Sequence, residues 1–208
     1  MRPGRYTGRM LRMPTPAVLG LILANFVIFL IERVAFDPIV LHCALWPLGP
    51  YFRPWQLVTY AFVHDGWLDI LFNMFGLFIF APALEQYWGV RRFLVYYFAC
   101  VVAAGITQIA VQHATGNPEP TIGASGGVFG VLLAFAWLFP RAQLLLLLPP
   151  IPLPAWLFVT LYGLLELFFG VTGMEPGIAH FAHLGGLLGG AIMMLLWRVP
   201  PDPLGRTR

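Results

Sequence analysis

A few polar side chains stand inside otherwise apolar segments of this 208-residue sequence, and their types suit hydrolytic chemistry. They are Asp69, Asn73, Glu85, Ser125, Glu166, His180 and His183. A serine hydroxyl that hydrogen bonds to a histidine forms a nucleophile with its general base. Because polar groups are costly inside a membrane helix, each of these residues is a functional candidate if its segment crosses a membrane.

The composition places these segments in a membrane. Hydrophobic residues make up 59% of the chain and charged residues only 10%, whereas soluble domains carry roughly 25% charged residues. The mean hydropathy of +0.79 excludes an ordinary cytosolic enzyme and a disordered chain. The two cysteines, Cys43 and Cys100, imply no disulfide framework.

Proline, glycine and charged residues divide the chain into six apolar segments. We expect membrane spans at about 16–31, 67–87, 93–111, 124–139, 154–170 and 177–197. Glu32 and Arg33 close the first span, and the prolines of the polar-aromatic stretch 34–66 argue against a long helix there. A membrane domain over 16–198 is thus expected between a basic N-terminal segment, 1–15, and a short tail, 199–208.

The arginines indicate how the spans are oriented. Ten of the twelve fall on one side of the predicted spans, and only Arg33 and Arg53 fall on the other. The positive-inside rule therefore predicts that both termini are cytoplasmic. It also explains the sequence pI of about 9.1 without a nucleic-acid partner.

Ser125 opens the fourth predicted span, which must end by Pro140. The sixteen residues from Ser125 to Pro140 extend about 24 Å as a helix, less than the ~30 Å hydrocarbon core. If the end near Arg141 reaches the cytoplasmic surface, Ser125 lies below the outer surface, among helix-start N–H groups that need water or a ligand. The sequence therefore predicts a water-filled pit that opens outward, where a helix start can stabilise an oxyanion.

His183 is expected at a similar depth from the same side. It follows Gly177, where the sixth span begins, by six residues, or about 9 Å along a helix. Small residues follow both Ser125 and His183: Gly126, Gly127 and Gly130 on one span, and Gly185, Gly186, Gly189 and Gly190 on the other. Such residues let two helices approach closely, so we predict that the serine and the histidine meet as nucleophile and general base.

Structural interpretations of the same residues remain open at this point. Glycine ridges also occur for packing alone, and a lone serine in a membrane helix usually bonds its own backbone. His180 and His183 could form half of a metal site, although the zinc-protease signature H-E-x-x-H is absent.

With its ordered motifs, the chain resembles the rhomboid intramembrane serine proteases from about Leu19 to Trp197. The matching motifs are WQLVTY at 55–60, Val63-His64, LFNM at 71–74, LEQYWG at 84–89 with Arg92-Phe93, GASG at 123–126 and AHLGG at 182–186. The resemblance implies an all-α membrane protein, a six-transmembrane-helix rhomboid-like bundle in which residues 34–66 form a lateral, half-embedded loop.

The resemblance also implies the roles of the site residues. Ser125 would attack the peptide carbonyl, and His183 would take its proton and return it to the leaving amine, with no third carboxylate. The Ser125 backbone N–H and the Asn73 side chain would hold the oxyanion. Phe129 would pack on the histidine, and His180 would support the sixth span rather than act as the base. Gly123 and Gly126 complete the serine motif as supporting residues.

Asp69 departs from the family pattern. It occupies the position, four residues before Asn73, where the family usually has a histidine that donates to the oxyanion. An ionised carboxylate there accepts rather than donates and repels the developing charge, whereas a protonated one could donate. His64 matches a second family histidine and does not replace the missing one.

The sequence therefore predicts a bacterial-type rhomboid protease of the cell inner membrane, in contact with the lipid bilayer. It would cleave transmembrane protein substrates near their outer ends by a Ser–His dyad, without metal or cofactor. Substrates would enter beside the fifth span.

A weak or inactive rhomboid-like protein that only binds transmembrane helices is the alternative, and a small-solute transporter is a third. Glu85 is expected to bond the cytoplasmic loop that follows it, and Glu166 to pair across helices without taking part in the chemistry.

Overall fold

The computed structural model describes residues 14–145, 151–174 and 177–203. Its elements, in chain order, are α1 (Pro16–Cys43), α2 (Gln56–Thr59) with a 3-10 turn (Tyr60–Phe62), α3 (Trp67–Trp88), α4 (Val90–Thr115), α5 (Ser125–Leu138), β1 (Gln143–Leu145), β2 (Pro152–Pro154), α6 (Ala155–Thr172) and α7 (His180–Leu196). Each of the six longer helices overlaps one of the six predicted apolar segments. The two short strands form an antiparallel hairpin between α5 and α6. Most of the predicted terminal segments, 1–13 and 204–208, lies outside the described residues.

The helices differ in whether they are long enough to cross a membrane. Four of them, α1, α3, α4 and α6, are both long and apolar enough. The other two, α5 and α7, are apolar but contain only 14 and 17 residues. At 1.5 Å per residue α5 extends about 21 Å, well short of the ~30 Å hydrocarbon core. The chain is therefore a helical membrane protein whose fourth and sixth long helices are shorter than their neighbours.

The short helix α5 lies at the centre of the bundle. It packs against α3, α4, α6 and α7, and most of its side chains are buried. Because α5 is apolar on all sides, this buried position suits its sequence. In contrast, α6 buries only Ala155, Val159 and Glu166 and exposes leucine and phenylalanine side chains over the rest of its surface. That surface suits contact with lipid.

The first helix continues further than the sequence predicts. It runs to Cys43 instead of ending at residue 31, with a break in the helical backbone at Ala35 (φ −146°, ψ 46°). Pro38 lies in the first turn after this break, where its missing N–H removes no helical hydrogen bond. Glu32 does not mark an end: it is buried, and its Oε2 accepts the N–H of His64 at 3.3 Å.

The segment between α1 and α3 is tied to the start of α5. Gln56 Oε1 accepts the N–H of Arg53 at 3.0 Å, which closes the turn before α2. The Tyr60 hydroxyl donates to the Val101 carbonyl at 2.8 Å, and the Tyr60 carbonyl accepts the N–H of Gly123 at 3.0 Å. The WQLVTY motif therefore positions the chain that leads into Ser125. The half-embedded location of this segment stays a prediction.

Glu85, near the end of α3, has partners other than those predicted. Its carboxylate accepts the N–H groups of Ala17 at 3.0 Å and Val18 at 2.9 Å, and the Thr15 hydroxyl also donates to it. The carboxylate thus caps α1, where it complements the partial positive charge of the helix start. Only the Glu85 backbone carbonyl reaches the following loop, where it accepts the N–H of Gly89 at 2.7 Å.

Glycines bring α4, α5 and α7 into backbone contact. A Cβ added at Gly186 would overlap the Gly126 carbonyl oxygen and lie 2.8 Å from its carbon. A Cβ at Gly126 would lie 2.5 Å from the Ala104 Cβ, and one at Gly185 would lie 2.9 Å from the Ala104 Cα. The predicted close approach of the two glycine-rich helices is confirmed, and α4 takes part in it.

We expect Gly186→Ala to destabilise the protein by at least about 1–3 kcal/mol, because the new methyl group must push α7 away from α5. Thermal unfolding in detergent measures this loss. Gly20→Ala is the matched control, since nothing lies within 4 Å of an added Cβ on α1 and alanine favours a helix. Equal stability of the two variants would contradict the role given to the contact.

Candidate active site

Ser125 is the first residue of α5, and the turn at Gly123 puts it there. Gly123 has φ +110°, a conformation that residues with a side chain rarely adopt. The first N–H groups of a helix have no acceptor within the helix itself. The backbone around Ser125 is therefore oriented to donate to an anion that forms beside the hydroxyl.

The structure brings His183 to this hydroxyl. His183 Nε2 lies 2.7 Å from Ser125 Oγ, although the two residues are 58 positions apart. His183 lies one turn into α7, and its side chain is buried. A distance of 2.7 Å is that of a strong hydrogen bond, so the hydroxyl can pass its proton directly to the ring nitrogen.

An aromatic ring holds the plane of the imidazole. Phe129, one turn after Ser125, stacks on His183 with 4.4 Å between ring centroids and 7° between planes. The Phe129 ring also contacts the ring of Tyr162 of α6, with 4.8 Å between centroids. The expected contact between Phe129 and the histidine is present, and it restricts rotation of the imidazole.

A carboxylate meets the second nitrogen of the same ring. Glu166 Oε2 lies 2.8 Å from His183 Nδ1 and 2.7 Å from His180 Nδ1. Its side chain is only 6% exposed. Glu166 thus pairs across helices as predicted, because α6 turns its side chain inward. The expected Ser–His dyad without a third carboxylate stays a prediction.

The same three side chains could in principle hold a metal ion. The ligand atoms of Glu166, His180 and His183 lie within 4.8 Å of one another. The two nitrogen–oxygen distances are those of hydrogen bonds, which satisfy these buried groups without an ion. His180 therefore has a hydrogen-bond partner inside the bundle, the Glu166 carboxylate.

Asn73 is held by the residue one turn before it. Its Nδ2 donates to the Asp69 carbonyl oxygen at 3.0 Å and to Asp69 Oδ1 at 2.8 Å. Asp69 Oδ2 in turn accepts the N–H of Asp65 at 3.2 Å. Both hydrogen-bond acceptors of the Asn73 amide nitrogen therefore belong to Asp69. An oxyanion that uses this amide competes with Asp69 for it.

Asp69 lines the same space as the nucleophile. A Cβ added at Gly123 would lie 3.9 Å from Asp69 Oδ1 and 3.7 Å from Ser125 Oγ. His64 is buried nearby. Burial lowers the pKa of His64 below its ordinary value of about 6.5, and this outweighs the opposing effect of Asp69.

A cleft of about 120 Å³ lies beside the segments that precede α5 and α7. Residues before α5, such as Thr121 and Ile122, line one side of it, and Gly177–Ala179 line another. Neither Ser125 nor His183 lines the cleft, so it adjoins the site without containing it.

Comparison with known proteins matches the part of the chain that contains these motifs. Residues 51–199, more than half of the chain, match the Rhomboid domain. The chain belongs to the rhomboid family. Relatives include Rhomboid protein 1, mitochondrial, of Saccharomyces cerevisiae, which is 30% identical over 142 residues covering 66% of this chain and 40% of the relative. Another is Rhomboid protease GlpG of Yersinia pestis, 26% identical over 187 residues covering 88% and 62%.

A third relative extends the comparison to animals. It is the Presenilin-associated rhomboid-like protein A, mitochondrial, of Danio rerio, 30% identical over 184 residues that cover 79% of this chain and 48% of the relative. The chain thus spans about half the length of these curated relatives. Rhomboid membership agrees with the family resemblance of the sequence motifs.

We expect Asp69→His to speed the reaction of Ser125 with a fluorophosphonate probe. The imidazole can donate to the anionic adduct, and the variant releases Asn73 from the carboxylate. One oxyanion donor is typically worth ~10²–10³ in rate, so the gain should be at least about tenfold. Asp69→Asn, which removes the charge and adds a shorter amide donor, should give a smaller gain. A rate equal to or below that of the unaltered protein would contradict this assignment.

Proposed function

We propose that the chain is an intramembrane serine endopeptidase that hydrolyses peptide bonds in or near transmembrane segments of membrane proteins. The observation that carries the proposal is the 2.7 Å contact between Ser125 Oγ and His183 Nε2 at the starts of two glycine-packed helices. Rhomboid membership supports it, because relatives include a protein named rhomboid protease.

The proposed chemistry has two stages. Ser125 Oγ attacks the scissile carbonyl while His183 Nε2 takes its proton, and the carbonyl oxygen becomes an oxyanion near the Ser125 N–H and the Asn73 amide. The imidazolium then returns the proton to the leaving amine, which gives an acyl-serine. A water molecule hydrolyses this ester by the same route and restores Ser125.

The proposed arrangement has six membrane crossings, with both termini in the cytoplasm. The arginine distribution supports this orientation. In it, the short helices α5 and α7 begin below the outer surface and place the site within the bilayer. We further propose the bacterial inner membrane, where proteins such as GlpG of Yersinia provide the precedent among the relatives, although other relatives carry mitochondrial names.

Substrates are proposed to enter sideways past α6. This helix buries three residues and exposes Leu161, Leu165 and Phe168 over much of its surface. A helix with few inward contacts can move aside more easily than α5. Substrates with small or helix-breaking residues are favoured, because a regular helix hides its peptide bonds from a nucleophile.

One observation favours a second candidate function. The Asn73 amide nitrogen donates to two oxygens of Asp69, so this residue competes with an oxyanion for the amide. A rhomboid-like protein that binds transmembrane helices without cleaving them would have this geometry permanently. The two candidates differ in whether Ser125 reacts.

We expect Ser125→Ala and His183→Ala each to reduce cleavage of a single-pass model substrate in liposomes by at least about 10³-fold, since each removes one half of the nucleophile pair. Labelling by a fluorophosphonate tests the same step. Ser125 is the sole serine in the chain, so a labelled peptide identifies the site without ambiguity.

Thr115→Ala and His113→Ala are matched controls. They remove a hydroxyl and an imidazole from exposed positions near the end of α4. Both should cleave and react like the unaltered protein. Cleavage that survives in Ser125→Ala would overturn the protease proposal, and helix binding without cleavage or labelling would favour the second candidate.

A further inference from the structure

Glu166 is an unusual residue for its helix. α6 exposes most of its side chains to the exterior of the bundle, yet it turns this one carboxylate inward, where its side chain is 6% exposed. Placing a charge inside a membrane bundle is costly unless it has partners. Glu166 has two, because both Nδ1 atoms at the start of α7 lie within 2.8 Å of the same oxygen.

The hydrogen bonds determine which nitrogen of His183 carries the proton. An ionised carboxylate can only accept, so His183 Nδ1 must donate to Glu166. The other ring nitrogen, Nε2, then presents its lone pair, and this atom lies 2.7 Å from Ser125 Oγ. That is the tautomer a general base needs before the serine attacks.

The same carboxylate faces the charge that develops during attack. When Ser125 loses its proton, His183 becomes a cation in a site with little water, and Glu166 lies in direct contact with it. Opposite charges at hydrogen-bond distance interact strongly where the dielectric constant is low. His180 donates to the same oxygen and holds the carboxylate in place from its other side.

We propose that Glu166 is a positioning residue that extends the Ser125–His183 pair to a Ser–His–Glu triad, with His180 fixing the carboxylate. The proposal rests on the proposed function, since it assigns Glu166 a part in the same reaction. A purely structural role, in which Glu166 only ties α6 to α7, predicts different measurements.

Kinetics of Glu166→Gln and Glu166→Asp make the first test. Glutamine keeps the size and removes the charge, so we expect kcat on a single-pass substrate to fall by about 10²–10⁴-fold with KM nearly unchanged. Glu166→Asp keeps the charge on a shorter side chain, so its kcat should be at least about tenfold higher than that of Glu166→Gln. Glu85→Gln, which removes a capping carboxylate far along α3 from the site, is the control and should keep kcat.

A spectroscopic test does not depend on turnover. The chain has five histidines, so ¹⁵N-histidine NMR of the whole protein in detergent can resolve their tautomers. We expect a strongly downfield Nδ1–H signal for His183 that is assigned by its loss in His183→Ala. This signal should persist in Ser125→Ala and move upfield in Glu166→Gln.

The outcomes separate the possible failures. An unchanged kcat in Glu166→Gln, or an Nε2–H tautomer of His183 in the unaltered protein, would overturn the triad. An equal loss of kcat in Glu166→Gln and Glu166→Asp, accompanied by lower thermal stability, would also overturn the triad. Activity that changes on addition of a chelator would instead indicate a metal at Glu166, His180 and His183. If Ser125→Ala still cleaves, the proposed function fails, while the NMR result still decides the Glu166–His183 contact.

Discussion

The backbone contact between α5 and α7 is the constraint on which the rest of the structure depends. Lipid provides no hydrophobic force between helices, so their association relies on close packing of small residues. Here the Gly126 carbonyl lies against Gly186, with no room for a Cβ between them. Because a serine side chain is short, only such an approach lets Ser125 reach His183 at 2.7 Å. The packing that stabilises the bundle and the geometry of the site are the same interaction.

A second consequence concerns the backbone that leads into α5. Irregular backbone at membrane depth is tolerated only where protein or water satisfies its polar groups. The turn at Gly123 meets this condition, because its N–H donates to Tyr60, which is itself anchored to Val101 of α4. In the proposed arrangement, the neighbours of α5 therefore allow the helix to begin below the surface, with its first N–H groups facing the site rather than lipid.

The sequence predicts the six helices well, since their apolar segments are long and clearly separated. It also predicts that Ser125 meets His183, because both stand near helix starts on glycine-rich segments. The partner of Glu166 could not be predicted in this way: α6 is apolar on every side, so no periodicity reveals its rotation. An acidic residue in the middle of that helix was the available signal. The continuation of α1 past Pro38 was missed because a break at Ala35 restarts the helix.

In the proposed reaction, the two carboxylates at the site face opposite charges of one transition state. Glu166 contacts the ring that becomes cationic, and Asp69 contacts the amide that must serve the oxyanion. In the proposed reaction the first contact strengthens during attack, whereas Asp69 competes with the oxyanion for Asn73. An ionised Asp69 also repels the developing negative charge, which opposes the effect proposed for Glu166. Under this proposal a substrate carbonyl therefore competes with Asp69 for the Asn73 amide.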